Sequence, residues 1–379
     1  MYVTYYVKQT PTMQQTQLTF DQLFNENGEL KEIPETAEYF ATKDIAKFKT
    51  INVTKLSPEF QTQIDRYYER YKHNVEPTLT VFAQEDMHSH YTEFQIPKHS
   101  GGMRTINAPD DQLKSTLNTL KTSFESYGIL PHTAAYAYVR NRTAKDAVVR
   151  HQKTGHEWFL KMDLHDFFGS CSKELIINSL CQIPFFAKFT KENWEILLHA
   201  IMLNDGLPQG TPISPWLTNQ VMLPYDFLIA NACRQHNMTY TRYADDMLIS
   251  APNKDTLKYG KEIVTAALAG TGLTLNDKKT KISSIYGQNW MLGLMLNKEK
   301  KVTIGWKKKE RFRATLFNFL SNPNQFDTQT CMELLGLMNY YTQIEPEYFN
   351  AIIDKYNAKF QSNVKSLLIS KIKGDIIGE

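Results

Sequence analysis

Two β-prone runs, Tyr240-Thr241-Arg242 and Met247-Leu248-Ile249, close on each other around Tyr243-Ala244-Asp245-Asp246. Such a pattern predicts a hairpin whose tip carries two adjacent carboxylates. Successive side chains on a regular strand face opposite sides, so neighbouring acids reach one site only where the strand bends. Their repulsion then calls for a divalent cation to offset it. The alternative is a solvated acidic turn. Three fixed positions recur by chance in about one chain in twenty of this length, so the tetrapeptide alone does not decide.

Its company does. Upstream, Phe159-Leu160-Lys161-Met162-Asp163 reads as a buried strand ending in an acid. Leu164-His165-Asp166-Phe167-Phe168 follows, and then a helix from about Ser172. Between the two acidic sites lies Gly206-Leu207-Pro208-Gln209-Gly210-Thr211-Pro212-Ile213-Ser214-Pro215, a loop that opens a long apolar segment. Ser214 suits the N-cap there and Pro215 the first helical position.

In chain order these blocks resemble the A, B and C motifs of reverse transcriptases, and four more matches extend the likeness over most of the chain. Ile96-Pro97-Lys98-His99-Ser100-Gly101-Gly102-Met103-Arg104 and Ala135-Tyr136-Ala137-Tyr138-Val139-Arg140-Asn141-Arg142 resemble the two fingers motifs. Gly272-Leu273-Thr274-Leu275-Asn276-Asp277-Lys278-Lys279 resembles motif D, and Trp290-Met291-Leu292-Gly293-Leu294 the primer grip. The resemblance implies an α+β right-hand polymerase with fingers, palm and helical thumb. The implied activity is RNA-directed DNA synthesis.

It also implies roles. Nucleotidyl transfer by two magnesium ions about 3.5 to 4 Å apart needs oxygen ligands for both. By resemblance these are Asp163 and Asp245, the backbone carbonyl of Leu164, and Asp246 as a partial or indirect ligand. Asp166 lies off the matched position and reads as a surface acid. Lys98 and Arg104 would meet the triphosphate, a lysine as a point charge and an arginine as a bidentate fork. Lys279 matches the motif D lysine that protonates the leaving pyrophosphate, with Lys278 one register away. Gln209 would contact the incoming sugar, and Gly210 would permit close backbone approach. Phe168 would stand against the 2′ position and favour deoxynucleotides, with Phe167 as a core aromatic. Leu292 and Gly293 would form the primer grip. Implied partners are an RNA template, including a dedicated non-coding RNA, a DNA or RNA primer, deoxynucleoside triphosphates and an accessory or effector protein.

The Ile-Pro-Lys, Leu-Pro-Gln-Gly and Gly336 to Tyr340 patterns resemble prokaryotic enzymes of the retron and group II intron type. Two departures stand out. Retron enzymes carry an Asn-Ala-x-x-His block and a Val-Thr-Gly before the primer grip, where this chain has Asp146-Ala147-Val148-Val149-Arg150-His151 and Met291-Leu292-Gly293. The expectation is a retron-like or defence-associated enzyme of a bacterium or phage, outside the standard retrons and without the added nuclease regions of intron proteins. Two other classes compete: a template-independent or protein-primed DNA polymerase, and a non-catalytic RNA-binding protein on a polymerase fold.

Composition narrows the setting. No apolar run of the 379 residues approaches the roughly 20 that span a bilayer, and Met1 to Tyr6 lacks a signal-peptide pattern, so a cytoplasmic protein with no membrane partner is expected. Cys171, Cys181, Cys233 and Cys331 show no paired spacing and read as free thiols. His88 and His90 lack a second ligand pair, so no zinc site is expected. The net charge of +3 is slight. Its late concentration matters more, and Lys307, Lys308, Lys309 and Arg311 become candidates for phosphate contact, against the alternative of a solvated helix face.

The expected organisation is an N-terminal extension over 1–90, fingers and palm over 91–290, and a primer-grip hairpin with helical thumb over 291–379. A helix begins at Ser57-Pro58 with Phe60, Ile64, Tyr67 and Tyr71 on one face. A hairpin joins residues 294–297 to 302–304. Apolar stripes at Phe312, Leu316, Phe319 and Leu320, and at Met332, Leu335, Met338 and Tyr341, predict helices, and Pro346 opens a last one.

Overall fold

In the computed structural model, residues 57–98 and 101–377 are described. Ser57 caps helix α1 (Pro58–Asn74), its hydroxyl accepting from Phe60 N at 3.3 Å. The expected stripe is the buried face, with Tyr71 wholly enclosed. A short helix α2 (Glu76–Thr80) leads to the antiparallel hairpin of β1 (Tyr91–Pro97) and β2 (Met103–Pro109), which sets Ile96 opposite Arg104. Asp110 caps α3 (Asp111–Ser126).

After α4 (Ala144–Gln152) come β3 (Trp158–Asp163), α5 (Lys173–Leu180), α6 (Lys191–Ile201), α7 (Ser214–Val221) and α8 (Leu223–Gln235). The hairpin of β4 (Thr239–Tyr243) and β5 (Asp246–Ala251), helix α9 (Lys254–Leu268) and strand β6 (Lys281–Ser284) complete the palm, whose four-stranded sheet runs β4-β5-β3-β6. β5 pairs antiparallel with both β3 and β4, and Trp158 to Met162 and Met247 to Ala251 bury most of their side chains on both faces.

The described residues divide into two compact units. The first holds residues up to 143 together with 156–282, and the second holds 144–155 together with 283 onward. Residues 57–90, within the expected N-terminal extension, send Tyr71, Val75, Leu79, Phe82 and Met87 into the same core as the palm. There Tyr71 meets Phe189 at 4.7 Å between ring centroids, and Phe124 stacks on Trp216 at 5.3 Å. Each enclosed aromatic of this kind contributes about 2 to 3 kcal/mol by leaving water. The part of the extension before residue 57 lies outside the described residues, as do His99 and Ser100 of the first fingers motif.

In the second unit, β7 (Met295–Leu296) and β8 (Val302–Thr303) form the expected hairpin. Helices α10 (Trp306–Ser321), α11 (Thr328–Ile344), α12 (Pro346–Phe360) and α13 (Val364–Ile377) follow. Phe312, Leu316, Phe319 and Leu320 are buried as the periodicity predicts. On α11 Met338 and Tyr341 are buried as expected, Tyr341 against Phe312 and Phe349, but in the first turns Cys331 and Leu334 take the buried positions while Met332 is exposed and Leu335 half-buried. A further correction is α13, since α12 is not the last helix.

Two local expectations also change. Ile213, not Ser214, is the N-cap of α7, and no side chain caps the helix; Ser214 N donates to the Thr211 hydroxyl oxygen at 3.2 Å. Ser214 is the first helical residue and its own hydroxyl bonds Thr211 at 2.5 Å. The four cysteines are free and buried as expected, and burial pushes the thiols of Cys171, Cys181 and Cys233 up to about 12. No described helix is long and apolar enough to cross a membrane.

Candidate active site

The first unit brings the two acidic blocks together through strand register. β3 and β5 pair so that Asp163 lies directly opposite Asp246. Residues paired this way point to the same face of the sheet. Tyr243 in turn pairs with Asp246, which leaves Ala244 and Asp245 as the turn between β4 and β5. Ala244 has φ 57, in the left-handed region that a residue with a Cβ seldom takes. The strand thereby bends where two adjacent acids need it to. The Asp245 carbonyl accepts from Leu164 N at 3.0 Å, tying the turn to the segment after β3.

Motif D lies on the other side. Asn276 N donates to the Asp163 carbonyl at 2.8 Å and His165 N to the Thr274 carbonyl at 2.8 Å. This ladder carries Lys279 to the site, where its ammonium donates to Asp163 Oδ1 at 3.0 Å. Lys278, one register away, is exposed. Asp246 has its own cation, Lys161, two residues before Asp163 on the same strand face and 2.9 Å from Asp246 Oδ1. Asp163 is only 5% exposed. Burial raises the Asp245 carboxyl above its ordinary range, and the Asp246 and Asp163 carboxylates push the same way against Lys279.

The donor set fits a divalent cation in its chemistry, being hard carboxylate oxygens whose mutual repulsion such an ion would relieve. It is not a finished cage. Among the described residues no three acidic, histidine or cysteine side chains converge to hold an ion, and Lys161 and Lys279 pair with two of the three carboxylates.

The motif B loop is fastened at both ends to its neighbours. Leu207 N donates to the Phe168 carbonyl at 3.0 Å, and a Cβ on Gly206 would lie 2.5 Å from the Gly169 carbonyl oxygen. Asn107 N on β2 donates to the Gln209 carbonyl at 2.7 Å. Gly210, at φ 127, has no room for a side chain, since a Cβ would sit 2.6 Å from the Asn107 carbonyl oxygen. The close approach expected of Gly210 is thus made by the β2 backbone. Gln209 is half-buried on this loop.

Phe167 is buried and Phe168 is half-exposed, their rings 5.9 Å apart. Asp166 is exposed. Lys98 and Arg104 are exposed on the fingers hairpin, whose turn is closed by Lys98 N donating to the Gly102 carbonyl at 2.9 Å. His88 and His90 pair with acids and an amide: His90 sits between Glu85 and Asp110, and His88 between Asp86 and Asn204.

The remaining candidates belong to the second unit. Leu292, at φ 54, and Gly293, at φ 78, form the turn closed by the Met291 to Leu294 bridge. Lys308 donates to the Gly293 carbonyl at 2.9 Å and lies over the Trp290 ring. Lys307 and Arg311 are exposed. Lys309 is turned inward, paired with Glu345 and 4.4 Å from the centre of the Tyr348 ring, so the basic run is only partly a surface feature.

Sequence reasoning missed Lys161, Tyr138, Arg242 and Asp226. Lys161 was legible as the one basic residue in a buried strand, at the period of two from Asp163. Tyr138, at φ 61 and 51% exposed, has its phenol raised by burial of its covered part and by Asp245 nearby. Arg242 and Asp226 are lone charges within apolar elements. Nothing in their spacing paired them.

Residues 96–338 match the family described as reverse transcriptase (RNA-dependent DNA polymerase). The chain belongs to that family. It is a right-hand polymerase that synthesises DNA on an RNA template. Among curated proteins it is similar to the Retron Ec83 reverse transcriptase of Escherichia coli, 25% identical over 330 residues that cover 82% of this chain and 98% of that protein. It is also similar to the Retron Ec73 reverse transcriptase of the same species, 29% identical over 289 residues, 73% of this chain and 90% of that protein. Among solved structures, apo telomerase from Candida tropicalis aligns over 80% of this chain and 66% of its own at 13% identity and a TM-score of 0.45, too distant a likeness to decide anything further. Enzymes of the family use divalent metal ions.

Proposed function

We propose that this reverse transcriptase works within a retron-like system, copying a dedicated non-coding RNA, with Asp163, Asp245 and Asp246 as the acids that hold two magnesium ions. The observation that carries the site is the strand register that sets Asp163 against Asp246 and pins the Asp245 turn to Leu164. When bound, the ions lower the pKa of the primer 3′-hydroxyl and offset charge on the leaving pyrophosphate. The chain's own groups do the rest. Lys161 and Lys279 each pair with a single oxygen, Oδ1, of Asp246 and Asp163, and Lys279 is thereby held at the site where it would serve as a proton donor to pyrophosphate. Lys98 and Arg104 supply fixed positive charge to the triphosphate. Phe168 stands beside the sugar and excludes a 2′-hydroxyl, while Gln209 orients it.

The similarity to two retron enzymes over most of their lengths supports the retron reading. Primer, accessory protein and an anti-phage role belong to the same proposal. The test is the double variant Asp245→Asn, Asp246→Asn. It should abolish deoxynucleotide incorporation and leave RNA binding nearly unchanged, because the acids hold metal and not the duplex. Synthesis at the wild-type rate would remove the assignment. Sequencing the nucleic acid that copurifies with the wild-type protein tests the dedicated RNA: a random cellular mixture would count against it.

A further inference from the structure

Asp245 sits in a turn whose preceding residue, Ala244, has an unfavourable backbone angle for alanine, φ 57. Such a conformation persists only where its surroundings over-determine it. Beside the Leu164 N to Asp245 carbonyl bond, the support on the Ala244 side comes from a buried side chain. Arg242 Nη1 donates to the Ala244 carbonyl at 3.0 Å. That carbonyl belongs to the peptide joining Ala244 to Asp245, so the bond fixes the plane from which the Asp245 side chain departs.

Arg242 is itself held rigidly. Its Nη2 donates to Asp226 Oδ2 at 2.7 Å, and its Nε to Oδ1 at 2.9 Å and to Oδ2 at 3.2 Å, a fork on a carboxylate of α8. Tyr240 donates its phenol proton to the same Oδ1 at 2.8 Å. Both charged side chains are fully buried. The backbone of Arg242 is fixed as well: its N–H donates to the Ala134 carbonyl at 2.7 Å and its carbonyl accepts from Tyr136 N at 2.8 Å. The Phe167 ring lies 6.0 Å from the guanidinium carbon. One residue therefore touches the catalytic turn, the motif A segment, the fingers strand segment and a palm helix.

A buried ion pair of this kind is a poor way to gain stability, since well-packed apolar residues of similar volume serve as well or better. Geometry is what the pair provides. An apolar pair would fill the same space and leave the Ala244 carbonyl free to turn.

We propose that Arg242, oriented by Asp226 and Tyr240, is a positioning residue that sets the direction of the Asp245 carboxylate. This rests on the reading of Asp245 as a metal ligand. The prediction concerns affinity for the ion before it concerns turnover.

The test compares Arg242→Lys, the double variant Asp226→Leu, Arg242→Met, and Asp245→Asn, each as the full chain. Binding of manganese alone is followed by titration calorimetry, and single-nucleotide incorporation is followed against magnesium concentration. Arg242→Lys and the double variant should bind manganese about tenfold more weakly, as changes behind metal ligands commonly do. Their magnesium midpoints should rise in step. Affinity for the primer–template duplex and KM for deoxynucleotide at saturating magnesium should stay near wild type. A purely structural role would move thermal stability and not the manganese affinity. A double variant that folds with wild-type manganese affinity overturns the proposal, and so does one that fails to fold, because the pair would then be a stability element. Asp245→Asn separates the two readings: unchanged manganese binding there would remove the ligand assignment itself, whereas lost binding there with unaffected Arg242 variants removes only the positioning role.

Discussion

Replacing Gly210 by alanine asks whether the motif B loop is clamped to the fingers strand as tightly as the backbone indicates. The new Cβ would lie 2.6 Å from the Asn107 carbonyl oxygen and 2.9 Å from Ile106 Cγ2, and φ 127 is itself unfavourable for alanine. The backbone angle costs about 1 to 2 kcal/mol. The carbonyl cannot swing aside like a side-chain tip, so the loop must withdraw and lose the Asn107 N to Gln209 carbonyl bond, about 1 kcal/mol more. The expected destabilisation is about 3 kcal/mol, or roughly 6 to 12 °C for a unit of this size. Gly128→Ala is the control, because φ is 74 there and nothing lies within 4 Å of the added Cβ. It should show the angle cost alone. Thermal melts of the two variants, with KM for deoxynucleotide measured on each, give the answer. Gly210→Ala should melt well below Gly128→Ala and show a raised KM as Gln209 shifts. Equal melting points would refute the claim of a close backbone contact.

Other outcomes follow from the same geometry. Phe168→Ala should raise ribonucleotide incorporation relative to deoxynucleotide by roughly 10- to 100-fold; a shift seen instead in Phe167→Ala would place the sugar against the other ring. Neutralising exposed Lys307 and Arg311 should flatten the salt dependence of template–primer binding by about two units, whereas Lys309→Gln should leave the slope alone and lower thermal stability by breaking the Glu345 pair. Asp110 and Glu85 hold the His90 imidazole above its ordinary range against desolvation, with the Phe82 ring on its edge. That stabilisation is complete below the ordinary pKa of about 6.5 and is lost as pH rises through the raised folded value. His90→Gln should therefore lower the melting point more at pH 6 than at pH 9, and equal losses would show that the charge is not involved.

The sequence made the site legible where local pattern and chemistry coincide. Strand alternation placed Asp163 at a strand end, and a β-run interrupted by two acids placed Asp245 at a turn. Ser57 and Pro58 announced α1 for the same reason, since the capping signal lies wholly within four residues. What stayed hidden depends on partners far along the chain. Lys309 reads as one more surface lysine until Glu345 folds against it. On α11 the periodicity found Met338 and Tyr341, which pack inward, and missed by one position at the first turn, where Cys331 is buried in place of Met332. Arg242 and Asp226 each look like a polar intrusion into an apolar element, and only the packing of α8 on β4 joins them. Gly210 was legible as a point of close backbone approach, but sequence could not say that β2 is the backbone that approaches it.

Lys161 and Lys279 also bear on when the palm can form. With Lys161 on Asp246 and Lys279 on Asp163, two ammonium groups stand against three carboxylates, and the cluster carries one uncompensated negative charge. Zinc fingers present the opposite case, in which ligands repel until the metal arrives and the apo chain stays unfolded. Here the chain carries its own counter-ions, Lys161 and Lys279, beside two of the three carboxylates. On the proposed assignment, a divalent ion entering the site would meet Asp163 and Asp246 already paired, each through Oδ1, with a lysine.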